Sequence, residues 1–156
     1  MFHIFNMPRE YLNAIHPYWD QFNFYDGRDT WLESIADIPE KVVNLFAVHW
    51  AHAEIENGGH GQYFFNSTGT SWQEAVRGFD AIGMPEVADI LRRAGTLLGD
   101  TVPGTQMERR EIVGFDDDDL DFHELDREFW SLVCADTFFR KRPKFVPFAD
   151  AYAATI

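Results

Sequence analysis

His49, His52 and Glu56 stand at i, i+3 and i+7, so on a helix their side chains share one face, and His60 follows four residues later. Imidazole nitrogens and a carboxylate in such a row are the donors of a transition-metal site, or of a metal-dependent enzyme acting on a small molecule. The spacing is not the His-Glu-x-x-His of metallopeptidases, however, and no cysteine is expected to join the set. These residues are therefore only secondary metal candidates, expected instead to be capped or partly exposed histidines on the less apolar helix face. Cys134, the only cysteine, follows Leu132-Val133 and reads as a small core residue rather than a nucleophile. No Gly-x-Ser-x-Gly elbow, phosphate loop or dinucleotide fingerprint is present. The sequence thus offers no catalytic residue and no cofactor site, and a non-enzymatic role is the leading expectation.

The carboxylates are the other reactive set. Asp117, Asp121, Glu124 and Glu128 fall at i, i+4, i+7 and i+11, and Asp118 adjoins them. A continuous helix would carry four of them in one stripe of ~16 Å, with neighbouring Cβ atoms ~5–6 Å apart. Asp29, Glu33 and Asp37 form a second row, with Asp26 and Glu40 at its ends. Two such rows could imitate the repeated charge of a nucleic-acid duplex, whereas a single row reads equally as a solvated helix face. Arg140, Lys141, Arg142 and Lys144 make the densest basic cluster, flanked by Phe138, Phe139 and Phe145. Within a chain of 26 acidic and 13 basic residues, net charge −13, that cluster is expected to pair with the protein's own acids or with a second subunit of a homodimer. Such a field repels nucleic acid and anionic membranes and attracts basic partners.

The elements that position these residues read as helices throughout. Tyr11, Leu12, Ile15, Tyr18, Trp19 and Phe22 share a helical period that Pro17 must interrupt, and a short helix follows near Asp29 to Ala36. From Pro39 to Glu56 apolar residues cover most of the circumference, so this helix should be central. Gly58 and Gly59 are expected to end it, leaving 60–66 as a short aromatic turn. Ser71 and Glu74 have capping-box spacing, Pro85 opens the next helix, and 100–115 shows no periodicity and reads as a loop. Asp116 to Asp119 are expected to cap a long helix through Val133, and Phe145 to Ala154 a terminal one. The reading is all-α: one multi-helix domain over 1–156. At 156 residues and 46% apolar composition a core can close without staples. A lone cysteine, an N-terminus without a signal-peptide pattern and no apolar run of ~18–20 residues point to a soluble, cytoplasmic protein.

Glu56-Asn57-Gly58-Gly59-x-x-Gln62-Tyr63-Phe64-x-Asn66-Ser67 resembles the signature of a bacterial family whose named member is a nineteen-kilodalton DNA-mimic protein. The resemblance extends through Gly69, Ala81-Ile82-Gly83, the Pro85 to Leu98 helix and Leu125-Asp126-Arg127-Glu128-Phe129-Trp130, roughly residues 39 to 135. It implies an all-helical, DNA-mimic-like domain and an acidic surface occupying the DNA-contacting face of a regulator or nucleoid protein. His60 departs from the family pattern, which has an aromatic or aliphatic residue there, and implies a changed contact beneath the motif. On physical grounds Asn57, Gly58, Gly59, Gln62, Tyr63, Phe64 and Asn66 look structural: glycines to stop the helix, aromatics for core, amides for backbone groups. Partner binding then falls to the acids, which come from this sequence's own spacing.

Overall fold

The computed structural model describes residues 9–114, 120–134 and 142–156. Eight α-helices and two 3-10 turns follow one another, with no strand among the described residues. In order they are α1 (Tyr11–Ile15), a 3-10 turn (His16–Gln21), α2 (Arg28–Ile35), α3 (Glu40–Phe65), a second 3-10 turn (Ser67–Ser71), α4 (Trp72–Ala81), α5 (Pro85–Thr96), α6 (Gln106–Val113), α7 (His123–Val133) and α8 (Val146–Ala153).

α3 is the axis. Residues Val42 to Val48 are buried without a break, as are Ala51, His52 and Ile55, so its first turns have no solvent face. Helices α1, α4, α6, α7 and α8 pack around it, α5 bridges α4 and α7, and α2 rests on the second 3-10 turn. Gly78 allows α4 its close approach, because a Cβ there would lie 2.7 Å from both the Asn44 carbonyl oxygen and Val48 Cγ2. Pro17 does interrupt the first helix, which tightens into a 3-10 turn after Ile15. No described helix is long and apolar enough to cross a membrane.

Four local expectations are corrected. The chain does not leave helix at the glycines: Gly58 (φ −150°, ψ 21°) and Gly59 (φ 74°, ψ −178°) break the geometry, and helix resumes through Phe65. Residues 60–66 are therefore largely helical. Ser71 makes no side-chain cap; its Oγ donates to the Thr68 carbonyl instead, while buried Glu74 is drawn to Arg28. The expected loop at 100–115 contains α6, whose N-terminus Thr105 caps by accepting from the Glu108 N–H. Finally, α7 begins only at His123. Asp116 to Asp119, the expected cap, lie outside the described residues.

Candidate functional site

The glycine break bends α3 so that the polar residues of its second segment turn back onto the first. Glu54 is the focus: its Oε2 accepts from Gln62 Nε2 at 2.7 Å and Asn66 Nδ2 at 2.9 Å, and its Oε1 from the Thr68 hydroxyl at 2.9 Å. Asn57 Nδ2 donates to Gln62 Oε1, closing the loop over Gly58. Tyr63 and Phe64 are fully buried. At the far end of this segment Arg109, with no exposed surface, donates to the carbonyls of Phe64, Asn66 and Pro103 at 2.9, 3.0 and 3.1 Å. A cation here satisfies carbonyls that the helix end leaves unpaired and opposes their partial negative charge. Arg110 Nε donates to the Phe65 carbonyl, and its guanidinium lies over the Phe65 ring.

The four sequence candidates for metal ligation do not form one site. His49 Nδ1 is hydrogen-bonded to the Tyr11 hydroxyl at 2.8 Å; burial, then the Arg9 charge, lowers its pKa to about 4. His60 is fully buried against Phe122 and Phe129 and is tied to Asp126, whose Oδ1 accepts from its backbone N–H at 2.8 Å and lies 2.5 Å from its Nδ1. Asp126 also acts as a cap, placing a carboxylate at the start of the resumed helix from α7. His52 remains with Glu56, Nε2 to Oε2 2.9 Å, and the structure adds Cys134. Far from being partly exposed, His52 and His60 are among the most buried polar residues.

The acidic stripe is also divided. Asp117 and Asp118 lie outside the described residues. Asp121 precedes α7 and accepts from the His123 N–H, so it is off the helical row. Glu124 and Glu128 do share α7, but Glu128 is held by Arg93 of α5 at 2.5 Å, which lowers its pKa through that hydrogen bond. In the second row Asp29 and Glu33 are exposed on α2, and Asp37 is exposed just beyond its end. No side chain of these three makes an ion pair or hydrogen bond among the described residues, and neither does that of exposed Glu124. Of the basic tail, Arg142 pairs with Asp150 at 3.4 Å and Lys144 donates to the Ser131 carbonyl.

An open cavity of about 580 Å³ beside the break is lined by His123, Asp126, Arg127 and Trp130. Glu54, Arg109 and Asp126 were not singled out by sequence reasoning. Each is a common polar type: the partners of Glu54 lie 8 to 14 residues on, across the break, while Arg109 and Asp126 reach 45 and 66 residues along the chain. A family model described as DMP19-like protein matches residues 36–151, from the end of α2 into α8. No curated protein and no solved structure matches the chain.

Proposed function

Because the chain belongs to the DMP19-like protein family, we propose that it is an acidic interaction protein acting as a DNA mimic. It binds the DNA-contacting face of a basic regulator or nucleoid protein and competes with DNA for that face. The observation that carries this reading is the net charge of −13 combined with where the cations go. Arg28, Arg92, Arg93 and Arg142 are engaged in ion pairs within the fold, while Asp29, Glu33, Asp37 and Glu124 face solvent unopposed. Asp29 and Glu33, one turn apart on α2, keep the ~5–6 Å Cβ spacing that a cationic DNA-binding groove can follow. The Asn57 to Asn66 motif serves this function indirectly, by building the bend from which the surface is displayed.

Association between such surfaces is steered by charge and weakens with salt. The test is capture of partners from a bacterial lysate at low salt, followed by competition against DNA on the captured protein. The expected result is a DNA-binding protein released from DNA by this chain, with an affinity that falls steeply as salt rises. Asp29→Asn with Glu33→Gln and, separately, Glu124→Gln should weaken competition without changing the fold. Failure to recover a DNA-binding protein, or recovery without displacement of DNA, removes the proposal.

A further inference from the structure

His52, Glu56 and Cys134 bring one imidazole nitrogen, one carboxylate oxygen and one sulfur within 4.8 Å of one another. The first two are a turn apart on α3, and the third ends α7, 78 positions beyond Glu56 in the chain. The Phe145 ring lies 4.5 Å from the imidazole and forms an apolar wall. From these positions we infer a zinc site with three protein ligands, one each from His52, Glu56 and Cys134, and a further position open past the half-exposed Glu56 side chain.

An independent observation points the same way. His52 is 2% exposed, yet neither of its ring nitrogens makes a hydrogen bond among the described residues. Nε2 stands 2.9 Å from Glu56 Oε2, close enough for an ion pair but not aligned as a hydrogen bond. Buried polar groups are ordinarily partnered. The buried ring thus lacks a partner for its nitrogens.

A divalent cation supplies it. Cys134 binds as thiolate, its proton passing to solvent; Glu56 binds as carboxylate and His52 as neutral imidazole. Two negative ligands balance the cation, so the half-buried centre is neutral. Mixed nitrogen, oxygen and sulfur donors suit zinc rather than calcium or magnesium, which take oxygen. Tetrahedral zinc at ~2.0–2.3 Å holds its ligands ~3.5 Å apart, so an edge of up to 4.8 Å must contract by about an ångström while the 2.9 Å edge between His52 and Glu56 opens, which the exposed end of Glu56 can provide. Bound metal would pin the end of α7 to α3.

The experiment uses untagged full-length chain, stripped with chelator and titrated with cobalt(II) as a spectroscopic stand-in for zinc. One equivalent should bind and produce a thiolate-to-cobalt charge-transfer band that zinc bleaches. Cys134→Ser should abolish the band. Glu56→Gln, at a half-exposed position, should keep the band and weaken binding at least tenfold. His52→Asn should weaken it further, with helical circular dichroism confirming that each variant is folded. Cobalt bound without the thiolate band, no stoichiometric binding to folded protein, or affinity unchanged in both Glu56→Gln and His52→Asn overturns the assignment. Those outcomes leave the interaction function untouched, because none of the three ligands belongs to the acidic rows.

Discussion

Gly59 is the position where one added methyl group should do most damage. Its φ of 74° with ψ of −178° lies in a region that is nearly reserved for glycine, where a side chain costs ~1–3 kcal/mol. The space is closed as well: a Cβ would meet Asp126 Oδ2 at 2.4 Å. Asp126 must then swing away from the His60 backbone N–H and ring nitrogen it now holds, and stranding buried donors costs a further ~1–3 kcal/mol. Gly59→Ala should therefore lose on the order of 4 kcal/mol, a large part of the ~5–15 kcal/mol of a typical domain. Urea unfolding followed by tryptophan fluorescence measures it. Repeating the substitution in an Asp126→Ala background separates the two causes, since the clash is gone and only the backbone strain of ~1–3 kcal/mol should remain. A Gly59→Ala protein within ~0.5 kcal/mol of the parent, inside the usual scatter of surface substitutions, refutes the strained break. Equal losses in both backgrounds refute the role given to Asp126.

Arg109→Met should cost about 3 kcal/mol, because it keeps bulk but leaves buried carbonyls without donors; Arg109→Lys should rescue little, since one ammonium cannot replace the guanidinium fork. The same unfolding assay decides, and a near-neutral Met variant would show the carbonyls to be hydrated. His49, ordinarily 6.5 and lowered to about 4 in the fold, should make stability pH-dependent. Between those values the unfolded chain binds the proton and the folded one does not, so stability falls as pH drops, by up to ~3 kcal/mol, and levels off below about 4. Unfolding midpoints from pH 7 to 4 should lose this component in His49→Gln, and an unchanged slope would count against it. Thr105→Ala should cost ~1 kcal/mol through loss of the α6 cap, visible as a lower melting temperature; no change would mean the cap is idle.

What the sequence makes legible, and what it hides, divides along physical lines. The central helix is plain because burial on all sides leaves an apolar run that no other element explains. α6 is hidden because its deepest inward residue is Arg109, so hydrophobic periodicity is silent; the Thr105-x-x-Glu108 capping box was the available signal. At Ser71 and Glu74 the same box misleads, since a buried carboxylate beside Arg28 gains more from a bidentate ion pair than from a backbone N–H. The glycine pair is ambiguous in one dimension, because a helix stop and a helix break use the same residues. What restarts the helix is Asp126, a carboxylate from a distant element at the new N-terminus, and no local pattern announces it. The candidate metal set fails for a related reason: helical spacing aligns His49, His52 and Glu56 correctly, but tertiary partners claim His49 and His60, and Cys134 arrives from another helix.

The distribution of charge follows from the same pairing. Arginines that bind carbonyls or carboxylates inside the fold cannot screen acids elsewhere, so stabilising the α3 bend and the α5–α7 seam leaves the uncovered negative charge on other surfaces. Glu128, held by Arg93, belongs to the seam and is a poor candidate for contact with a partner. Asp29 and Glu33 are better placed, yet both precede residue 36, where the family match begins. The matched span contains the motif, its Glu54 and Arg109 anchors and helices α4, α5 and α7. The α2 acids stand outside that frame. On the proposed function, partner choice is then separable from fold: substitutions at Asp29 and Glu33 should change competition with DNA and leave stability alone, whereas those at Gly59, Arg109 or Asp126 should lower stability first.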